Sequence, residues 1–451
     1  MLKQLEGATE VSGVPEAFVP IIKSEISGVA LDFLMARLAL SSVPDDLSLK
    51  DDNLLRNLDE KCVRSLNGSR VIDEILRLVP NVEVFRDALR CIKLWAQRRA
   101  ISSNVNGFLG GVAWALLVAR ICQLYPNAIA GAIVSRFFII MYKWQIYPQD
   151  RAHRMPIITP AYPAMCATHN VTKSTQMIIT EEFKRGSEIV ERVISGNASW
   201  SELFAKHDFF HKYRYYLQII ATTANPDLQL KWSGTVESRV RQLVMKLEYV
   251  DTLILAHPFV KGFDQVCYCL TEEEVRQVAQ GEISSTILKR KKEDIENKEG
   301  AGPIYSTTFY IGLAIDKPVG NNGPRKLDIS FPTTEFTKLV KSWDKYDEAT
   351  MGLVVRHIKK SALPDNVFEP GERPAKMAQK RPKGSGKSGN NASDMPNKRQ
   401  RSSQSVADLN QLLEDRSISA TPTLPPANNI KSPQLPFGEN AAIATGAVAA
   451  Q

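Results

Sequence analysis

Long apolar runs are missing from this chain of 451 residues. The two closest approaches, residues 111–122 and 130–142, are short and are broken or bounded by Arg120 and Arg136. A membrane span needs about 20 such residues, so both stretches read as buried helices and no membrane partner is expected. The first residues, MLKQLEGATEVSG, hold no apolar secretory core. Cysteine is also sparse. Cys62, Cys91, Cys122, Cys166, Cys267 and Cys269 form no C-x-x-C pair. Only Cys267 and Cys269 stand close, and without a matching His or Cys pair they are a weak metal signal. Free buried thiols in a reducing compartment are expected. The six histidines are dispersed and show no His-Glu-x-x-His motif, which argues against zinc chemistry. There is no Gly-x-Ser-x-Gly and no cysteine in a catalytic motif, which argues against a hydrolase.

What is present describes an ordinary soluble chain with a basic bias. Hydrophobic residues make up 43% and charged residues 24%, enough for two or three domains with cores of their own. The net charge of +8 suits a polyanionic partner. Residues 1–40 hold two strand-like runs, 17–26 and 29–38, joined at Ser27-Gly28 as a hairpin. Residues 41–207 are mostly helical, with apolar spacing of helical period over 71–79, 84–98 and 112–124.

Residues 208–366 change character. Strands are expected at 213–222, 252–259, 305–315, 326–331 and 351–358, with helices at 230–248 and 334–343. This β-α-β, β-(β)-α-β order is that of a ferredoxin-like or RRM-like domain. A polar insertion containing Lys289-Arg290-Lys291-Lys292 reads as a solvated loop. Residues 367–451 lose apolar periodicity and are expected to be a disordered tail. Its clusters at 380–383 and 398–401 read as a bipartite nuclear localisation signal.

Few residues carry chemistry by themselves. Asp32 interrupts an apolar strand, on one face with Ala30, Leu34 and Ala36. A carboxylate there needs a metal, a cleft or a cation, and Arg37 is a candidate partner. Gly107, Gly110 and Gly111 lead into a helix whose first residues include Val112. Glycines there suit close backbone approach and a helix start suits anions, although no Gly-Lys-Ser/Thr follows. Lys93 is a lone cation in an apolar helical stretch, either snorkelling to water or meeting phosphate. Asn67 precedes a helical run as a turn or cap residue.

Several segments together resemble eukaryotic nuclear poly(A) polymerases, the fungal type above all. They are Ala17-Phe18-Val19-Pro20-Ile21-Ile22, Leu31-Asp32-Phe33-Leu34-Met35-Ala36-Arg37, Arg64-Ser65-Leu66-Asn67-Gly68-Ser69-Arg70 and Ile92-Lys93-Leu94-Trp95-Ala96. The match continues through Gly107-Phe108-Leu109-Gly110-Gly111-Val112, residues 155–163 and 209–213, and Trp232-Ser233-Gly234-Thr235-Val236-Glu237-Ser238.

The resemblance implies an α+β multidomain protein. Its parts are the remnant of a nucleotidyltransferase sheet (1–40), a helical middle domain (41–207), an RRM-like RNA-binding domain (208–366) and the tail. It implies ATP as substrate, Mg2+ or Mn2+ as metal, pre-mRNA 3′ ends and cleavage and polyadenylation subunits as partners, and the nucleus as location. Asp32 matches the third of three metal-binding aspartates. By the same resemblance Lys93 meets phosphate, Asn67 the ribose side, and Gly111 and Val112 the adenine end.

Three departures follow. The family's other two metal ligands form an Asp-x-Asp pair, and none occurs in these residues. The expectation is an N-terminally truncated member that does not turn over alone, with a non-catalytic RNA-binding or docking fragment as the alternative. Ser102 stands where the family usually has a tyrosine touching ATP. The run 144–147 joins segments the family keeps apart.

Overall fold

A computed structural model describes residues 2–15, 17, 19–144, 153–295, 302–316 and 327–373. The chain divides into two units, 1–375 and 376–451; the second, with both basic clusters, lies outside the described residues, as does most of the 144–147 junction.

The chain opens with a three-stranded antiparallel sheet of β1 (Ala8–Val14), β2 (Ile21–Ile26) and β3 (Val29–Leu34), in that order. The expected hairpin is β2–β3. Ser27 and Gly28 take φ of 51° and 78°, the paired positive values that a two-residue turn with matching twist needs. β1 was not legible, because Ala8–Val14 shows no clean alternation of apolar and polar residues.

Five long helices follow: α1 (Glu60–Leu78), α2 (Val82–Arg98), α3 (Gly111–Leu124), α4 (Ala130–Lys143) and α5 (Lys173–Ile194). Side chains cap three of them, Asp59 on α1, Asn81 on α2 and Thr172 on α5, and Thr172 and Thr175 form a capping box. Their shared core is aromatic. Trp95 meets Phe138 and Trp114 edge-on at 4.8 and 5.7 Å, and all three are fully buried.

The chain then passes through α6 (Phe209–Lys212) into β4 (Tyr215–Thr223), α7 (Pro226–Leu247), β5 (Leu253–Pro258), β6 (Phe263–Cys269), α8 (Glu272–Ala279), α9 (Ser285–Lys289), β7 (Gly302–Ile315), α10 (Ser330–Lys341) and β8 (Met351–Lys359). The sheet runs β5-β7-β4-β8, all antiparallel, with β6 also on β7. One face is covered by α7 and α10, through Trp232, Val236, Val240 and Phe336. The other joins the middle helices in one core through Tyr216, Leu255 and Tyr310, with α6 between.

Two expectations fail here. No strand covers 327–331: Asp328 accepts from the Ser330 amide at 2.9 Å, an Asx turn that starts α10, so Phe331 is helical. The insertion is not a bare loop either. β6, α8 and α9 bury Cys267, Cys269, Val278 and Ile287 with Ile304 of β7. Arg290, from the basic run, clamps Glu274 at 2.8 Å and donates to the Tyr268 carbonyl. Hydrogen bonds from Arg290 hold the Glu274 carboxyl down at about 2.

Candidate functional site

The hairpin register sets Asp32 directly opposite Lys23. Asp32 is exposed, as are Ala30, Leu31 and Leu34, so the apolar look of the strand does not bury the carboxylate. Arg37 is not its partner; the Arg37 amide donates to Cys62 Sγ at 3.3 Å, and Asp32 makes no ion pair among the described residues. The hairpin leans on α1 at one defined place. A Cβ on Gly68 would lie 3.8 Å from Leu34 Cδ2.

Next to that contact is Asn67. It is neither a turn nor a cap but lies within α1, whose true N-cap is Asp59, accepting from the Cys62 amide at 2.9 Å. Asn67 is 6% exposed, and its Oδ1 has no hydrogen-bond partner. A buried amide oxygen left unpaired costs about 1–3 kcal/mol, so a donor from a ligand fits there.

The glycine stretch leads into α3, which packs on α1. Gly107 has φ of 87°, and a Cβ there would come within 3.0 Å of the Asn170 carbonyl. Gly110 caps α3 without a side-chain hydrogen bond, and nothing would meet a Cβ on Gly111. Gly111 and Val112 are both exposed, so the first turn of a 14-residue helix presents bare backbone amides. Asn104 packs its Cβ 3.3 Å from the position of a Cβ on Gly110, and its Oδ1 is also buried and unpartnered. Lys93 is on the exposed side of α2, and its ammonium makes no hydrogen bond or ion pair among the described residues.

A third element closes the site. Asn106 donates to Ser103 Oγ at 3.1 Å and to Glu237 Oε1 of α7 at 3.3 Å. Burial raises the Glu237 carboxyl, while the Asn106 bond and the charge of Lys23 pull it back. Through Lys23 and Glu237 the hairpin carrying Asp32, the loop before α3 and helix α7 converge. Asn104, Asn106 and Glu237 escaped the sequence reading. Glu237 was readable as an acid away from the apolar side of its helix, but nothing local showed that it would be buried.

The donor set suits a nucleotide better than metal ions. Two orphaned amide oxygens and an uncapped helix start offer acceptors and donors for a base, a ribose and phosphate. Among the described residues, no three His, Cys, Asp or Glu side chains come together to hold a metal. Asp32 alone does not satisfy an ion that prefers several oxygen ligands. Cys267 and Cys269 are buried thiols pushed up to about 12 and about 11 by that burial, and they belong to no group of three possible ligands among the described residues. No helix among the described residues is long and apolar enough to cross a membrane.

The family model for the poly(A) polymerase nucleotidyltransferase domain matches residues 1–79. The poly(A) polymerase central domain matches 84–148 and 145–206, in two pieces that meet at the 144–147 junction. The poly(A) polymerase predicted RNA binding domain matches 208–377. The chain is 49% identical over 426 residues to poly(A) polymerase pla1 of Schizosaccharomyces pombe, covering 84% of this chain and 75% of that one. It is 46% identical to poly(A) polymerase PAPalpha of Candida albicans, covering 83% and 72%. Nuclear poly(A) polymerase 1 of Arabidopsis thaliana is 40% identical, covering 83% and 51%.

Proposed function

The chain belongs to the poly(A) polymerase family, and from that premise we propose that it binds ATP and RNA 3′ ends in the seam between hairpin, α3 and α7 but does not extend RNA by itself. The single observation behind this is Asp32, an exposed carboxylate facing Lys23 and belonging to no group of three His, Cys, Asp or Glu side chains that could hold a metal among the described residues. Two Mg2+ ions, one to activate the RNA 3′-hydroxyl and one to neutralise the triphosphate, supply the chemistry of such a reaction when bound. These residues do not hold such a pair. Losing essential ligands lowers the rate on the order of a thousandfold or more.

What the residues present would do is bind and orient. Asn67 Oδ1 accepts from the ribose side, Lys93 reaches phosphate through solvent, and the Gly111 and Val112 backbone lies against the adenine end. The domain reading is 1–40, 41–207, 208–366 and the tail. The sheet order β5-β7-β4-β8, with α7 and α10 on one face, supports an RRM-like third domain. RRMs stack bases on the face opposite their helices. Here that face is covered: Tyr216 and Tyr310 are fully buried beneath Phe209 and Phe210. RNA therefore runs along the seam and not over the sheet. Nuclear import through the two basic clusters, and docking to cleavage and polyadenylation subunits, complete the reading.

The test is to incubate the purified chain with labelled ATP, Mg2+ or Mn2+ and an oligoadenylate primer. No ladder is expected, while the primer is retained in a binding assay. A ladder from a homogeneous preparation would show that fewer carboxylates suffice.

A further inference from the structure

Helix α7 turns one face toward the middle helices, and two carboxylates on that face are spent there. Glu237 accepts from Asn106 at 3.3 Å, and Glu248 accepts from the Ser174 and Lys173 amides at the start of α5 at 2.6 and 3.3 Å. Arg241 sits between them, four residues after one and seven before the other. At 3.6 residues per turn the three project within about 40° of one another.

A glutamate four residues before an arginine is the favourable order for an ion pair within a helix. That pair is not made; Glu237 accepts from Asn106. Arg241 is half-buried and makes no hydrogen bond or ion pair among the described residues. Desolvation lowers its pKa, and no neighbouring charge offsets it. A guanidinium partly removed from water and left without an anion is costly to keep. The cost is recovered when an anion arrives.

We propose that Arg241 is a phosphate-binding residue that takes a backbone phosphodiester of RNA lying in the seam between α7 and the middle helices. This rests on the RNA-binding reading above. The planar guanidinium matches phosphate oxygens in a paired geometry that a lysine ammonium does not. The phosphate belongs to RNA rather than to ATP because of where Arg241 stands. Arg241 lies one helical turn beyond Glu237, toward Glu248 and the start of α5.

The experiment is fluorescence anisotropy of labelled oligoadenylate with the full chain across a salt series, with ATP binding measured in parallel. Arg241→Ala should weaken RNA binding about tenfold and reduce the log–log salt slope by about one. Arg241→Lys should keep the slope and lose part of the affinity. ATP affinity should be unchanged in both. Asn106→Ala frees Glu237 to pair with Arg241, so it should weaken RNA binding without touching the arginine, and adding Glu237→Gln should restore it. This arm holds even if Arg241→Ala fails to fold. RNA affinity and slope unchanged in a folded Arg241→Ala would overturn the proposal. So would loss of ATP affinity with RNA binding intact, which would assign the arginine to the triphosphate. A wild-type chain that binds no RNA would sink the functional reading and this proposal with it, a result distinguishable from the other two.

Discussion

Gly186 shows how little room the middle helices leave. A Cβ there would lie 2.2 Å from Cδ1 of Phe138, and Phe138 is fully buried against Trp95. Gly186→Ala gains helix propensity of about 1 kcal/mol but forces the ring to move in a packed core. The net loss should be about 1–3 kcal/mol in a urea titration. A variant as stable as the parent would mean the α4–α5 contact can slide. At the same scale the sequence misled about Asp32. An acid among Val29, Ala30, Leu31 and Phe33 suggests burial, yet β3 leaves those side chains largely in water. Exposure of a strand depends on what covers it, and no local pattern states that.

Among the elements, α5 reaches both the glycine loop and α7 from its first turn. Thr172 Oγ1 accepts from the Thr175 amide while Thr175 Oγ1 accepts from the Thr172 amide at 2.9 Å. Glu248 of α7 covers the next two amides. Thr172→Ala removes one half of the box and should cost about 1 kcal/mol. Because Thr175 lies against Gly107, hydrogen exchange should also rise in residues 103–111. Faster exchange confined to α5 would show that the loop holds its shape independently. The long amphipathic helices were readable because their apolar period repeats over several turns. The strand expected at 326–331 was not, since a short apolar run reads equally well as the first turn of a helix. Leu327 and Ile329 pack against the α7–α10 core, which chooses the helix.

At the scale of the whole molecule, two histidines where sheet and middle helices meet carry a pH dependence below neutrality. His257 of β5 is buried between Phe108, Phe209 and Tyr213, with the Tyr213 hydroxyl 2.7 Å from Nδ1. Burial depresses its pKa to about 3, helped by the charges of Lys212 and His207, and burial brings His207 to about 4. Unfolded histidine titrates near 6.5, so between these values the unfolded chain binds more protons. Stability is therefore full above pH ~6.5 and falls toward pH 3, by up to about 1.4 kcal/mol per pH unit for each group. The urea midpoint should drop between pH 7 and pH 5, and His257→Phe should flatten that drop. Equal midpoints in the parent would mean that the imidazole reaches water.

Periodicity and turn chemistry were enough to set the long helices and the β2–β3 hairpin turn, because each depends on neighbours close in sequence. The tertiary structure alone decided that Asn67 would be a buried orphan, that the sheet face opposite α7 and α10 would be covered, and that Asn106 would reach Glu237. Each of those depends on two segments tens of residues apart, or more than a hundred for Asn106 and Glu237, meeting in a desolvated seam, where an unpaired polar group acquires a cost that it does not have in the unfolded chain.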